Sequence, residues 1–286
     1  MRWWKNKSIF IISLSLLITI LVWSQIGMYL AHVLLGTNLE KNLFTLCLSL
    51  FDENISIQLI ISMFLNLLIA YTILMTLIKI GHQYFLLRRL KKKISQMVDT
   101  DLTQLLNRKF HRHKSDILVI QDHQLLAFTI GFRKSNIVLS TSLIEILEEY
   151  ELNAVIEHET SHQKNNDSLK IFVLQLISQT IWFIPLTKWA YQNYKIISEL
   201  LADQYAIHKT GSEAALGSAL LKLIKHHFNR KPSPVLAHFS DESVNYRLKQ
   251  LVNPHQAIPI KLKTTSIMAS VHIMLLMTVM ILVTMS

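Results

Sequence analysis

Residues 151–162 read Glu-Leu-Asn-Ala-Val-Ile-Glu-His-Glu-Thr-Ser-His. The apolar residues of this stretch recur at the spacing of one face of an α-helix, namely Leu152, Val155 and Ile156. On that helix, His158 and His162 lie one turn apart and share a face. The stretch therefore predicts a helix that presents two imidazoles side by side.

Two imidazoles at positions i and i+4 can bind one tetrahedral metal ion. Glu159 lies too far round the helix to be a third ligand, but it is placed to take a proton from a water molecule, as in the H-E-x-x-H pattern. The spacing predicts His158 and His162 as metal ligands, Glu159 as the catalytic base and Zn²⁺ as the cofactor. The alternative is a solvated helix face that carries two histidines.

A third ligand is expected from a second helical pattern, Ile-Ile-Ser-Glu-Leu-Leu-Ala-Asp-Gln-Tyr-Ala at residues 196–206. Glu199 and Asp203 lie one turn apart on it, within an otherwise apolar stretch. We expect Glu199 to bind the metal and Asp203 to accept a hydrogen bond from a ligand histidine, which would fix its tautomer. An ordinary helix surface is the alternative for this pair.

Long uncharged runs account for much of the composition, which is 51% hydrophobic and 17% charged. They cover residues 8–31, 55–78 and 264–286. Each would form a helix about 34–36 Å long, enough to cross a hydrocarbon core of about 30 Å. We therefore expect a membrane hairpin in residues 1–81, a domain that carries the metal-site pattern in residues 82–263 and a C-terminal membrane helix in residues 264–286.

Lys and Arg flank these runs asymmetrically. They are abundant in residues 2–7 and 79–93 and occur again at 261 and 263, whereas the loop between the first two runs has one lysine beside three acids. By the positive-inside rule, we expect a multi-pass cell-membrane protein whose N-terminus and residues 82–263 lie in the cytoplasm and whose C-terminus lies outside.

The net charge of +10 raises the question of a nucleic-acid partner. Residues 79–115 are strongly basic, but aromatic residues are sparse there and the stretch follows a predicted membrane helix. We therefore expect the lipid bilayer, and no nucleic acid, as its partner. The single cysteine, Cys47, excludes a disulfide scaffold and a Cys-rich zinc ribbon.

Residues 171–187 form a fourth uncharged run, which contains Pro185. A single crossing here would put Glu199 on the opposite side of the membrane from His158 and His162. We therefore expect this segment to associate with the membrane without spanning it and to bend near Pro185. The metal would then lie near the membrane surface.

From residue 117 to residue 207, the sequence resembles a gluzincin membrane peptidase of the BlaR/MecR type, the β-lactam-sensing antirepressor receptors of bacteria. The matching features are a strand pair around Gly131, His158-Glu159-x-x-His162, Asp167, Trp182-Phe183-x-Pro185-Leu186 and Glu199-Leu200-x-x-Asp203. The resemblance implies an α-helical integral membrane protein with a cytoplasmic α+β zincin (gluzincin) metallopeptidase domain. The departures from the family pattern are Ser140, Asn165, Asn166 and Ala202.

Two later residues are candidates for positioning the transition state or substrate. Arg247-Leu248-x-x-Leu251 resembles, more distantly, a downstream motif of the prenyl-protein and heat-shock membrane zinc endopeptidases, in which a late Arg or His helps to position the site. Arg247 and His238 are the candidates here, although a salt bridge on a helix surface is the favoured interpretation of Arg247.

We therefore expect a membrane-anchored zinc endopeptidase that cleaves a protein or peptide substrate in bacterial signalling or processing. The resemblance implies a transcriptional repressor or a membrane precursor peptide as the substrate, and a separate sensor or repressor protein as a candidate partner. We expect the chain to lack the extracellular penicillin-binding sensor domain of the receptors. The alternative function is a non-catalytic membrane receptor or immunity protein that retains the zincin scaffold.

Overall fold

The computed structural model describes residues 2–36, 49, 55–112, 115–132, 134–228, 241–252 and 264–285, and these are mainly helical. The elements are, in chain order, α1 (Arg2–Leu35), α2 (Ile55–Met97), α3 (Thr100–Lys109), β1 (Ile117–Ile120), β2 (Ala127–Ile130), β3 (Asn136–Ser140), α4 (Thr141–Ile146), α5 (Glu149–Asn165), α6 (Asp167–Thr180), α7 (Pro185–Thr210), α8 (Glu213–Phe228), α9 (Asp241–Val252) and α10 (Thr264–Met285).

The chain divides into two compact units. The first comprises Met1–Ser8, Tyr84–Phe172 and Asn193–Pro259. The second comprises Ile9–Gln83, Val173–Gln192 and Ile260–Ser286.

The first unit is built on a three-stranded sheet with the order β1-β3-β2. The central strand β3 is parallel to β1, with Val119 opposite Leu139, and antiparallel to β2, with Thr129 opposite Ile137. Strand β2 therefore lies at one edge of the sheet. Successive side chains of a strand point to opposite faces of the sheet, so the consecutive buried residues 137–140 of β3 show that both faces are covered at the central strand.

Each face of this sheet is covered by helices. One face places Ile137 and Leu139 in a core with Val155 and Ile156 of α5. The other face packs Val138 and its neighbours against the C-terminal part of α2, around Ile94. Helix α5 thus lies directly on the sheet, which fixes the helix that carries His158 and His162.

Hydrogen bonds anchor the start of helix α5, and a left-handed residue ends it. At its start, buried Glu151 accepts hydrogen bonds from Ser218 at 2.5 Å and Lys222 at 2.6 Å, both on α8. At its end, Asn166 adopts a left-handed conformation (φ 52°), which asparagine tolerates better than most residues. The chain turns there and begins α6 at Asp167.

Two described helices are long and apolar enough to cross a membrane, within Trp3–Leu35 and Leu59–Met97. Large apolar side chains on both are exposed, including Phe10 and Phe64. In α10, the described apolar stretch is the shorter Thr264–Val279, so a third crossing stays a prediction. Within the second unit, Gln25 of α1 donates to the Met277 carbonyl at 3.1 Å, a polar contact of the kind that joins membrane helices.

The fourth uncharged run is interrupted in the structure. Helix α6 ends at Thr180, and α7 begins at Pro185 after a short irregular stretch. Proline suits the first position of a helix, because its fixed φ matches the helix and its missing N–H would be unpaired there. The helical run is thus interrupted just before Pro185. The association of residues 171–187 with a membrane stays a prediction.

Gly131, directly after β2, is required by the backbone. Its φ is +114°, and a Cβ at this position would lie 2.6 Å from the Lys134 carbonyl oxygen. We expect Gly131→Ala to lower the free energy of unfolding by about 1–3 kcal/mol, measured from thermal unfolding of the purified protein in detergent. As the control, Gly217→Ala on α8 meets no atom within 4 Å. It should be neutral or stabilising by up to about 1 kcal/mol. Equal stability of the two variants would contradict this account of the β2–β3 turn.

Candidate metal centre

The site begins with the two histidines of α5. The side chains of His158 and His162 are largely buried, and their Nε2 atoms lie 3.2 Å apart. At this distance, the two Nε2 atoms are directed at the same small region. The helix alone brings the residues together, as the four-residue spacing predicts.

Glu199 of α7 completes the cluster. Its Oε2 lies 3.5 Å from Nε2 of His158, and its Oε1 lies 3.7 Å from Nε2 of His162. One ligand atom from each of the three residues lies within 4.8 Å of the others. Bonds of about 2.0–2.1 Å in tetrahedral geometry place ligand atoms about 3.3 Å apart. The distance between the two Nε2 atoms and the distance from each Nε2 to one oxygen of Glu199 are close to that value, so the donor set fits a single metal ion.

Each histidine is oriented by its own carboxylate. Nδ1 of His162 lies 2.9 Å from Oδ2 of Asp167, the first residue of α6. Nδ1 of His158 lies 2.8 Å from Oδ1 of Asp203, although the angle departs from that of an ideal hydrogen bond. Both carboxylates favour a proton on Nδ1, which leaves the Nε2 lone pairs available to a metal ion.

Arg247 of α9 lies in the site and is buried. It donates to both carboxylate oxygens of Asp203, at 2.8 and 2.7 Å, and its Nη1 lies 3.2 Å from Oε2 of Glu199. The interpretation of Arg247 as part of a surface salt bridge is therefore wrong. A buried guanidinium that bridges two carboxylates holds both in place. His238, the other late candidate, lies outside the described residues.

Glu159 is buried beside the three candidate ligands, and a residue of the sheet holds its carboxylate. Its Oε2 accepts a hydrogen bond at 2.8 Å from the hydroxyl of Thr129, on the edge strand β2. The same hydroxyl lies 3.1 Å from the backbone carbonyl of Glu159. Among the described residues, none forms a hydrogen bond with its Oε1.

A second polar network supports the middle of α5. Arg112 donates to Thr160 at 3.0 Å and to Gln163 at 2.9 Å, and it forms a 2.8 Å ion pair with Asp116. Gln163 in turn donates to Asp116 at 2.8 Å. Thr160 lies between the two histidines in sequence, so this network anchors α5 at a residue between them.

The sequence pattern missed three side chains that support the site: Thr129, Asp167 as the partner of His162, and Tyr194, whose hydroxyl donates to Asp167. Asp167 carried a local signal, since it follows His162 by five residues and comes directly after the left-handed Asn166. Thr129 and Tyr194 carried none, because they reach the site from other elements through tertiary packing.

The surroundings of the cluster stabilise the charged forms of His158, His162 and Glu199. Burial and the nearby Arg247 disfavour protonated His158, but Asp203 and Glu199 outweigh them and raise its pKa. Burial likewise opposes protonation of His162, yet the hydrogen bond to Asp167 and the charge of Glu199 raise its pKa to about 9. Burial would raise the pKa of Glu199, but the hydrogen bond from His158 and the neighbouring positive charges hold it well below its usual range.

A family model described as BlaR1 peptidase M56 matches residues 54–251, which is more than half of the chain. The match includes every residue of the cluster from Thr129 to Arg247. No curated protein matches the chain significantly.

The raised pKa of His162 predicts a pH-dependent metal affinity. Below about pH 9 this imidazole is protonated in the metal-free protein, so a bound metal ion must displace the proton. We expect the apparent dissociation constant for Zn²⁺ to fall as the pH rises from 6.5 to 8.5, by about tenfold per pH unit for each proton displaced. Competition with a chromophoric chelator, corrected for the chelator's own protonation, measures this. A constant affinity over this range would contradict the assignment of His162 as a ligand.

Proposed function

Because the chain belongs to the BlaR1 peptidase M56 family and is a membrane-associated peptidase of that type, we propose that it is a zinc-dependent endopeptidase. His158, His162 and Glu199 would hold the zinc. The observation that carries the proposal is the convergence of their ligand atoms at separations of 3.2, 3.5 and 3.7 Å. Zinc is the metal proposed, since H-E-x-x-H on a helix is typical of zinc peptidases.

Glu159 is the proposed general base. A zinc ion in the site would supply Lewis acidity, polarising the scissile carbonyl and making a water molecule acidic enough to lose a proton near neutral pH. Glu159 accepts that proton and passes it to the leaving amine. The hydrogen bond from Thr129 to Oε2 holds the carboxylate in one orientation, with Oε1 left to exchange the proton.

Asp203 and Arg247 are proposed as positioning residues. Asp203 orients His158, and Arg247 holds Asp203 and Glu199 together. A single cation thus fixes the partner of one ligand and the side chain of another. Removal of such partners in metal sites typically costs about 10–100-fold in metal affinity or activity.

The proposed substrate is a protein or peptide bound in extended form. Strand β2 lies at the edge of the sheet, where a peptide backbone can pair with it. Thr129 belongs to this strand and contacts Glu159, so a peptide beside β2 would pass close to the base. A cytosolic repressor and a membrane-bound precursor peptide are the two proposed classes, in keeping with a peptidase domain on the cytoplasmic side.

A non-catalytic receptor or immunity protein with a retained scaffold is the alternative. A scaffold needs the helix packing of α5 but has no need for a base held at the metal ligands. The hydrogen bond between Thr129 and Glu159 therefore favours an active enzyme.

Glu159→Gln should abolish proteolysis while the fold and the bound metal are retained, because the amide keeps the shape but cannot accept the proton. The control is Glu157→Gln, two residues earlier on α5. We would compare the new protein N-termini in cells that express the wild type, each variant, or no copy of the chain. We expect new N-termini with the wild type and Glu157→Gln, and none with Glu159→Gln. Wild-type cleavage by a metal-loaded Glu159→Gln protein would overturn the assigned base.

A further inference from the structure

Tyr194 of α7 is one of the largest fully buried side chains, with 1% of its surface exposed. Its hydroxyl donates to Oδ1 of Asp167 at 2.7 Å. The other oxygen of that carboxylate, Oδ2, lies 2.9 Å from Nδ1 of His162. Tyr194 therefore contacts the carboxylate that orients one of the proposed metal ligands, without touching the ligand atoms.

The chain of hydrogen bonds continues to the first helix. Ser8 of α1 is buried, and its side chain hydrogen-bonds to Tyr194. Since the Tyr194 hydroxyl donates its proton to Asp167, its oxygen is the acceptor for Ser8. Ser8, Tyr194, Asp167 and His162 all belong to the first compact unit. In the order Ser8, Tyr194, Asp167, His162, the Tyr194 hydroxyl therefore accepts one hydrogen bond and donates one, and the series begins at the Ser8 hydroxyl.

The two ligand histidines are therefore held by different means. Asp203, the partner of His158, is fixed by two hydrogen bonds from Arg247. Asp167, the partner of His162, is fixed by a neutral phenol that itself depends on Ser8. A carboxylate held at one oxygen only can rotate about its Cβ–Cγ bond. The bond from Tyr194 opposes that rotation and keeps Oδ2 directed at His162.

We propose that Tyr194 and Ser8 are positioning residues of the metal site, and that the first helix of the chain thereby sets the orientation of His162. The inference rests on the proposed metal function of the cluster. It makes the affinity and geometry of the site depend on two hydroxyl groups, one of which lies on α1, within a candidate membrane span.

The test uses the purified full chain loaded with Co²⁺, whose visible absorption reports the geometry of its ligands. The variants are Tyr194→Phe, Ser8→Ala and the hydroxyl-retaining Ser8→Thr. Matched controls are Tyr205→Phe, which removes a hydroxyl on the same helix α7 that contacts Lys164, and Ser15→Ala, which removes a second buried hydroxyl of α1.

Tyr194→Phe should lower the Co²⁺ affinity by about 10–100-fold and change the visible spectrum. Ser8→Ala should shift both in the same direction by less, and Ser8→Thr should restore them. Both controls should match the wild type. A purely structural contribution of these hydroxyls would lower stability without moving the spectrum of the folded fraction.

The outcomes separate this inference from the proposed function. Tight Co²⁺ binding by the wild type with unchanged spectra and affinities in Tyr194→Phe and Ser8→Ala overturns the inference and leaves the metal site intact. Failure of the wild type to bind Co²⁺ overturns the proposed function. If Tyr194→Phe does not fold, Ser8→Ala decides: a result equal to that of Ser15→Ala overturns the coupling to the first helix.

Discussion

The site depends on two carboxylates that turn two imidazoles toward one point. Asp203 and Asp167 each lie within 2.9 Å of an Nδ1 atom, and as a result both Nε2 atoms face the carboxylate of Glu199. The helix α5 supplies the one-turn spacing, but spacing alone leaves each ring free to rotate. The ring orientations are set by Asp167, at the start of α6, and by Asp203 of α7, the helix that also carries Glu199.

The charge balance of this cluster favours a bound cation. Four carboxylates lie together, those of Glu159, Asp167, Glu199 and Asp203, and Arg247 supplies one compensating positive charge. Burying an excess of negative charge is costly unless cations compensate it. Without a metal ion, protons on the two histidines supply this compensation, which agrees with the raised pKa values of His158 and His162. A divalent ion supplies the same compensation and releases these protons.

Local spacing predicted the part of the site that lies within single helices. His158, Glu159 and His162 follow from the pattern of α5, and Glu199 with Asp203 follows from that of α7, although nothing local linked the two helices. The sequence favoured a surface salt bridge for Arg247, because an Arg among polar neighbours on a helix has the same local pattern at a surface as in a core. Thr129, Tyr194 and Ser8 reach the site through tertiary packing, which a single sequence does not encode in any short pattern. In the same way, hydropathy predicted the uncharged runs 8–31 and 55–78 as membrane helices, and the helices α1 and α2 that contain these runs extend beyond them, to Leu35 and Met97.

The most direct test of the central claim is the metal-to-protein ratio of the purified full chain after exposure to zinc and removal of loosely bound ions. We predict about one zinc ion per wild-type chain and none in the folded His158→Ala/His162→Ala double variant. A wild-type chain that retains no zinc, or a double variant that retains as much as the wild type, would contradict the assignment of this cluster as the metal centre.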